Sequence, residues 1–255
     1  MIELKNINKD FETTSMTNHI KHILKNINIK INDGDFITII GSNGSGKSTL
    51  LNTISGYFAP TSGEILFNNI NVTHLNENKR AKYIGRVFQD PTLGTIGDIS
   101  IEENLALARK RGEKRTLSWA LKKNYLKEYE KILSPLNLGI EKNFSEPVSS
   151  LSGGQRQALT LIMATLKKPQ ILLLDEHTAA LDPKTSKLIL NLTDKIVKDN
   201  NLTTLMVTHN MKDALKFGNR LIMISDGKII LDANKEEKSK LTVDDLYKKF
   251  ELAES

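Results

Sequence analysis

Three adjacent side chains that could do acid–base or metal chemistry, Asp175, Glu176 and His177, follow the apolar run ILLL at residues 171–174. Carboxylates at the end of a buried strand can hold a metal ion, and carboxylates or imidazoles can transfer protons. The same three residues could also form a well-capped turn. Other motifs of the chain decide which of them does chemistry.

A glycine-rich loop, GSNGSGKST at residues 41–49, has the residue types of a phosphate-binding loop. It stands between FITII, a predicted strand, and STLLNTISG, a predicted helix that Gly56 ends. Glycines let backbone N–H groups approach an anion, and a helix start adds the positive end of its dipole. Lys47 can reach the β- and γ-phosphates, and the Ser48 hydroxyl can bind Mg²⁺. The residues predicted to bind nucleotide are Gly41, Ser42, Asn43, Gly44, Ser45, Gly46, Lys47, Ser48 and Thr49.

The stretch ILLLDE supplies the acidic partner of this loop. A carboxylate at the carboxyl end of a buried strand beside a phosphate loop is where Mg²⁺ is held, so Asp175 is predicted to bind the metal. Glu176, which points differently, can orient and deprotonate a water for attack on the γ-phosphate. A GTPase would also need Asn-Lys-x-Asp to read guanine, and the candidate stretch NKRA at residues 78–81 lacks the aspartate.

A second anion-binding site is predicted at LSGGQRQ, residues 151–157, just before the apolar helix QALTLIMATLKK. Its serine and glycines present backbone N–H groups at a helix start. An ordinary serine N-cap is the alternative. Two phosphate-binding helix starts in a chain that binds one nucleotide are otherwise hard to explain.

Hydrophobic periodicity predicts the elements that position these motifs. ILKNINIKI alternates apolar and polar residues, which predicts a half-buried strand, and GEILFNNINV predicts a hairpin. ILLLD, TTLMVTH, LIMIS and KIIL are further strand patterns, and their alternation with helical segments indicates a largely parallel sheet covered on both faces.

Helical spacing dominates two other regions. Between Ile101 and Leu138 apolar residues recur at intervals of three and four, which predicts a mostly helical insert. The residues that carry this pattern are Leu117, Leu121, Tyr125, Tyr129 and Ile132. The charged C-terminus predicts one short peripheral helix, carried by Leu241, Val243, Leu246 and Phe250.

Composition limits the function classes. The chain has 255 residues, 39% of them hydrophobic, enough for one large core or two lobes that share one. It has no cysteine, which excludes disulfides and cysteine-ligated metals. No signal-peptide pattern opens the chain and no apolar run approaches the roughly 20 residues of a membrane span, so we expect a soluble chain. The net charge of +6 includes the cluster Arg109-Lys110-Arg111, but without interleaved aromatics it is a weak nucleic-acid site.

Six motifs together resemble the ATPase subunits of ATP-binding-cassette (ABC) transporters. They are GSNGSGKST (Walker A), VFQD with Gln89 (Q-loop), LSGGQ (signature), ILLLDE (Walker B), AALD (D-loop) and VTHN with His209 (H-loop). The resemblance extends from the first strand to about Leu231.

The resemblance implies an α/β fold: a P-loop NTPase (RecA-like) core with an N-terminal antiparallel β-subdomain and an inserted α-helical subdomain. A single ABC ATPase domain would cover residues 1–231. Its core would comprise 1–90 and 158–231, and the helical subdomain about 91–157, ending in the signature motif. Residues 232–255 would form a charged tail or helix.

It also implies a head-to-tail dimer, with a second copy of the chain or a homologous ATPase subunit, that encloses two ATP, each with Mg²⁺. The signature residues Ser152, Gly153, Gly154 and Gln155 of one copy would contact the ATP on the phosphate loop of the other. Asp182 of the D-loop would lie at the dimer seam, and it can also cap its own helix before Pro183.

The remaining site residues follow from the same resemblance. Gln89 would touch Mg²⁺ and the attacking water, which adds it to Ser48 and Asp175 as a metal ligand. His209 would contact the γ-phosphate and hold Glu176 and the water in register. Phe11 would stack on adenine. Surface-loop, structural and core roles are the respective alternatives for Gln89, His209 and Phe11.

His177 stands where the family usually has proline. Proline carries no proton, so hydrolysis does not require a base here, and a structural role is favoured over pH-sensitive tuning of the loop.

A transporter is the favoured function class. The implied partners are integral membrane permease subunits and, indirectly, an extracytoplasmic solute-binding lipoprotein, with the chain peripheral at the cytoplasmic face of the membrane. Soluble ABC proteins that act on nucleic acid or ribosomes usually carry two cassettes or a long coiled coil, so nucleic acid is not an expected partner. A regulatory nucleotide sensor is disfavoured because Glu176 and His209 are both present. The solute expected from the resemblance is an aromatic amino acid such as tryptophan or tyrosine.

Overall fold

A computed structural model describes residues 1–13, 19–113, 123–134 and 138–254. The chain forms two compact units, one of Met1–Arg80 with Asn201–Ser255 and the other of Ala81–Asn200. The predicted helical subdomain, about 91–157, falls within the second unit. The domain boundaries themselves stay a prediction.

The first unit opens with an antiparallel sheet and the phosphate-loop strand and helix. Its elements are β1 (Ile2–Thr13), β2 (His19–Ile31), β3 (Phe36–Gly41), α1 (Lys47–Ser55), β4 (Ser62–Phe67), β5 (Ile70–Asn71) and α2 (Glu77–Arg80). The antiparallel sheet has the strand order β2-β1-β4-β5. Ile27, Ile29 and Ile31 of β2 are all buried, which confirms the predicted alternation. Gly56 ends α1 with a left-handed backbone, as predicted.

The second unit combines a parallel strand pair with helices. Its elements are β6 (Ile84–Val87), α3 (Ile101–Arg109), α4 (Lys123–Leu133), α5 (Gly153–Thr165), β7 (Ile171–Asp175) and α6 (Pro183–Asp199). β6 pairs with β7 in parallel register from Ile84↔Ile171 to Val87↔Leu174. α4 includes Tyr125, Tyr129 and Ile132 of the predicted helical pattern, whereas Leu117 and Leu121 lie outside the described residues.

The chain then returns to the first unit with β8 (Thr204–Val207), α7 (Met211–Lys216), β9 (Arg220–Ser225), β10 (Lys228–Ala233), α8 (Lys235–Lys240) and α9 (Val243–Glu254). β3 is paired in parallel with both β8 and β9, and β10 is antiparallel to β9. Buried strand residues and α7 therefore surround the strand that leads into the phosphate loop.

The C-terminus corrects one prediction. It forms two helices, α8 and α9, where the sequence predicts one short peripheral helix. Leu241 lies between them, and Leu246 of α9 is fully buried rather than peripheral. Among the described residues, no helix is both long and apolar enough to span a membrane.

Candidate active site

The phosphate loop holds its lysine with its own backbone. Lys47 is only 6% exposed, and its Nζ donates hydrogen bonds to the carbonyl oxygens of Gly41 at 2.8 Å and Ser42 at 2.9 Å. Gly46, with φ of 105°, forms the N-cap of α1 immediately before this lysine. The ammonium is therefore fixed at the end of α1 where the helix dipole is positive.

Close packing requires glycine at two positions of the loop, and a third glycine borders open space. A Cβ on Gly41 would lie 2.3 Å from the Ile224 carbonyl oxygen, and one on Gly46 would lie 2.9 Å from the Ile23 carbonyl oxygen. At Gly44, whose φ is +80°, no described residue other than its chain neighbours has an atom within 4 Å of the Cβ position. The loop is thus packed tightly behind and open at Gly44, an arrangement that fits the approach of a phosphate group.

A buried arginine caps the opposite end of α1. Arg80 Nη1 donates to the carbonyl oxygens of Thr53 at 2.8 Å and Ile54 at 2.7 Å, and Nη2 donates to that of Thr73 at 2.8 Å. Burial lowers the pKa of Arg80 to about 10, so the guanidinium stays charged at neutral pH. A cation there complements the negative end of the helix dipole. The role of Arg80 is not predictable from the sequence, because no local pattern marks its partners.

His209 lies beside the phosphate loop. It follows β8, and its exposed side chain lines a pocket of about 210 Å³ together with Gly41 and Ser42. The next residue, Asn210, caps α7 by accepting hydrogen bonds from the backbone N–H groups of Lys212 at 3.0 Å and Asp213 at 3.3 Å. The structure therefore brings together two predicted parts of the site, the loop and the histidine.

Phe11 is half-buried in the first unit. Its ring packs edge-on against Phe58 at a centroid distance of 5.0 Å, and the Lys9 ammonium lies 4.9 Å from its centroid. This packing accounts for part of the ring, and the partial exposure leaves room for a stacking partner. Both the core role and the adenine-stacking role remain compatible with its position.

In the second unit, the predicted acids and Gln89 lie at or just beyond the ends of neighbouring strands. Val87 of β6 is paired with Leu174 of β7, so Gln89 and Glu176 each stand two residues beyond paired positions. Gln89 is exposed, and Asp175 and Glu176 are partly buried. Glu176 has a φ of 42°, in the left-handed region that non-glycine residues rarely occupy.

The signature motif starts α5 with a reciprocal cap. The Ser152 hydroxyl accepts from the Gln155 backbone N–H at 3.3 Å, and the Ser152 N–H donates to Gln155 Oε1 at 2.9 Å. Ser152 and Gly153 are exposed, whereas Gly154 is buried. A Cβ on Gly154 would lie 2.3 Å from Thr185 Cγ2, so this glycine allows α5 to pack closely on α6. The serine cap predicted as an alternative is present, and it leaves Ser152 and Gly153 exposed.

Asp182 caps α6, as predicted. Its carboxylate accepts hydrogen bonds from the backbone N–H groups of Lys184 and Thr185, both at 3.1 Å. Hydrogen bonding to Thr185 is the main cause that lowers the pKa of Asp182. The side chain remains exposed.

The basic cluster binds groups of the second unit itself. Arg111 Nη1 donates to the Ala164 carbonyl oxygen at 2.7 Å, at the C-terminal end of α5, and burial lowers the pKa of Arg111. Arg109 pairs with Glu128 at 2.9 Å, and its guanidinium lies 3.9 Å from the Tyr125 ring centroid. These contacts give the two arginines structural roles. Arg111 therefore binds a carbonyl oxygen at the C-terminal end of α5, as Arg80 does at the C-terminal end of α1.

His177 is buried away from acid–base work. Its Nε2 lies 3.0 Å from Thr193 Oγ1, and that hydroxyl donates its own proton to the Ile189 carbonyl oxygen at 2.9 Å. Nε2 therefore carries a proton and donates it to the threonine. Burial lowers the pKa of His177 to about 4, which keeps the ring neutral at physiological pH. Burial and this hydrogen bond support the structural role favoured from the sequence.

Comparisons with known proteins agree with this geometry. The family model described as ABC transporter matches residues 24–179. The chain is 48% identical over 253 residues to a tyrosine transport ATP-binding protein of Clostridioides difficile strain R20291, covering 99% of this chain and 100% of that protein. It is 32% identical to the energy-coupling factor transporter ATP-binding protein EcfA2 of Ligilactobacillus salivarius, covering 92% of this chain and 80% of that protein.

A solved structure supports the same family. The ATP-binding cassette MJ0796 of Methanocaldococcus jannaschii, in a dimeric post-hydrolysis state bound to ADP and Pi, matches with a TM-score of 0.74 and 32% identity. The match covers 92% of this chain and 99% of that one. The predicted α/β fold class, with its antiparallel sheet and helical insertion, is confirmed. Cassettes of this kind dimerise and work with membrane permease subunits. The chain belongs to the ABC transporter family and is an ATP-binding subunit that hydrolyses ATP.

Proposed function

We propose that the chain powers solute uptake as a head-to-tail dimer that encloses two ATP. The observation that carries the proposal is the pocket shared by Gly41, Ser42 and His209, because it places a histidine beside the loop that would hold the terminal phosphate. Backbone N–H groups of residues 41–49 would bind the phosphates, and Lys47 would neutralise the β- and γ-phosphate charge.

Three oxygen-bearing side chains would hold Mg²⁺. They are the Ser48 hydroxyl, the Gln89 amide and the Asp175 carboxylate, and hard oxygen donors are the ligands that Mg²⁺ prefers. When bound, Mg²⁺ neutralises charge on the β- and γ-phosphate oxygens. This donor set fits the ion, and Gln89 stands two residues beyond the end of β6, where it could also report nucleotide state to a partner.

Glu176 is the proposed general base. Its carboxylate would take a proton from the attacking water, which must approach the γ-phosphate in line with the leaving oxygen. His209 would contact the γ-phosphate and hold the water in register. His177 takes no part, because it is buried, neutral and bonded to Thr193.

The dimer would complete each site. Ser152, Gly153, Gly154 and Gln155 would contact the ATP held by the partner copy, and the exposure of Ser152 and Gly153 on one side of the α5 start supports this. Asp182 would lie at the dimer seam, and Phe11 would stack on adenine.

We further propose an aromatic amino acid, tyrosine first, as the transported solute. The similarity to a tyrosine transport ATP-binding protein over 99% of the chain supports this proposal. Integral membrane permease subunits would carry the solute, and an extracytoplasmic lipoprotein would deliver it to them. The chain would then be peripheral at the cytoplasmic face of the membrane.

The hydrolysis mechanism is tested with Glu176→Gln. This change keeps the size of the side chain and removes the base, so the variant should bind ATP, trap the dimer and lose turnover. Glu130→Gln, an exposed acid on α4, is the matched control and should hydrolyse ATP at the parent rate. Phosphate release and size-exclusion chromatography with ATP measure both properties. Parent-rate hydrolysis by Glu176→Gln would contradict the assignment.

The transport proposal has a separate test. Purification from detergent-solubilised membranes should recover the chain with a permease, and vesicles containing that complex should accumulate radiolabelled tyrosine when ATP is supplied. Recovery only with ribosomes or DNA would contradict a transporter role. Uptake of a different solute would overturn the tyrosine assignment alone.

A further inference from the structure

The C-terminal helices of the first unit bind the end of α7, the helix that begins two residues after His209. Lys238 of α8 is buried, and its Nζ donates to the carbonyl oxygens of Phe217 and Gly218, directly after α7. The same ammonium lies 3.3 Å from Thr38 Oγ1, which donates to the Ala214 carbonyl oxygen of α7 at 2.9 Å. One lysine therefore ties α8 to both α7 and β3.

An apolar cluster holds the side of α7. Its buried members are Ile40, Ala214, Leu221, Met223 and Leu246, and the partly buried Met211, Leu215, Leu231, Leu241 and Phe250 pack against it. The cluster thus joins the strand that leads into the phosphate loop to α7 and α9. Packing against this cluster therefore fixes the direction of α7.

The pocket beside the phosphate loop has a wall formed by α9. Tyr247 and Phe250 line it together with Ser42 and His209. Met211, the first residue of α7, completes this wall. The C-terminal helix α9 and His209 therefore line the same pocket.

We propose that Lys238, Tyr247 and Phe250 are positioning residues for hydrolysis. Lys238 and Phe250 hold α7, and Tyr247 supplies the pocket wall beside His209, so that His209 faces the phosphate loop. The inference rests on the role of His209 in the proposed function. The charged C-terminus, to which no sequence motif assigns a role, would in this way take part in the reaction.

The physical reason is the length of α7. A helix of six residues is far below the length that is stable alone, so its direction depends on contacts at its two ends and along one face. Asn210 fixes the start, Lys238 fixes the end, and Phe250 packs along the face. Loosening the last two would let the backbone after His209 sample other positions while the phosphate loop keeps its own contacts.

The test compares Phe250→Ala and Tyr247→Ala with Leu252→Ala in the full chain. Leu252 lies on the same helix and is 77% exposed, so its loss should leave turnover at the parent value. The two pocket variants should lower kcat about tenfold, since small misplacements of a catalytic group have effects of that order or larger. Their Kd for ATP, measured by fluorescence titration, should stay within about twofold. Phe250→Leu should restore most of the turnover.

Coupling to His209 separates positioning from general damage. In a His209→Ala background, single-turnover rates should show no further loss on adding Tyr247→Ala, because residues that act through one group are not additive. Tyr247 is 56% exposed, so this variant decides the question even where Phe250→Ala fails to fold. Full turnover in Tyr247→Ala, an additive loss with His209→Ala, or an equal fall in ATP affinity would overturn the inference. Full turnover in His209→Ala itself would instead contradict the proposed function.

Discussion

Replacing Arg80 should lower the free energy of unfolding of the protein without abolishing nucleotide binding. Arg80 is fully buried, and its guanidinium serves three carbonyl oxygens at and near the end of α1. Arg80→Ala removes these donors and also leaves a large cavity. Arg80→Met keeps most of the aliphatic volume and removes only the donors, so the pair separates hydrogen bonding from packing.

The structure sets the size of the effect. The Thr53 carbonyl oxygen also accepts from the Gly56 N–H at 3.3 Å, so the main loss falls on the carbonyls of Ile54 and Thr73. Each buried acceptor left without a donor costs about 1–3 kcal/mol. Removing the charge offsets about 3 kcal/mol of this loss, because a buried guanidinium no longer has to be desolvated. This value corresponds to the fall in the pKa of Arg80 from 12.5 to about 10. The cavity adds about 2–5 kcal/mol for alanine only.

We therefore expect Arg80→Ala to lower the free energy of unfolding by about 4 kcal/mol and Arg80→Met by about 1 kcal/mol. Urea unfolding followed by circular dichroism measures both. Saturating ATP at 100 times its Kd should add about 2.7 kcal/mol in the variants as in the parent, because the contacts of Lys47 do not involve Arg80. If Arg80→Ala unfolds within 1 kcal/mol of the parent, the cap does not hold α1 and the reasoning is refuted.

Three further predictions concern buried or partly buried groups. Because His177 has a pKa of about 4 when folded and 6.5 when unfolded, the unfolded chain binds the proton first, and stability should fall by about 2 kcal/mol between pH 7 and pH 5. His177→Gln should remove that part of the pH dependence in urea titrations at the two pH values. Gly154→Ala should lower the free energy of unfolding by about 1–3 kcal/mol, because the added Cβ would clash with α6. Gly153→Ala should leave the free energy of unfolding unchanged, because the nearest side-chain atom lies 3.7 Å from its added Cβ. Thermal melts of the two variants compare these stabilities. Arg111→Ala should lower stability by about 2–4 kcal/mol, against less than about 0.5 kcal/mol for Lys110→Ala, and equal urea midpoints for the two would show that Arg111 does not support α5.

Structural features that depend on residues close together in the chain were predictable from the sequence. The alternation of Ile27, Ile29 and Ile31 gave a strand with one buried face, and Gly56 ended its helix where a left-handed residue was needed. Asp182 caps its helix, as its position before Pro183 indicated. Such patterns depend on backbone geometry over a few residues, so a single sequence reveals them.

Features that depend on distant partners were not predictable. Arg80 and Arg111 bind carbonyls 27 and 53 positions away, and no local pattern marks a carbonyl as an acceptor. The division of the C-terminus into two helices does have a local sequence signal. Asn234 and Glu237 form a capping box at the start of α8, and this spacing is readable from the sequence.

The left-handed backbone of Glu176 sets the stability of the protein against the proposed role of this side chain in turnover. For a residue with a side chain, this conformation is less favourable by about 1–2 kcal/mol, and glycine would remove the strain. Glycine has no carboxylate, so selection for stability alone would discard the proposed base. Engineering that stabilises the protein by replacing strained residues should therefore exempt this position, since the most stable variant there would bind ATP and never release phosphate.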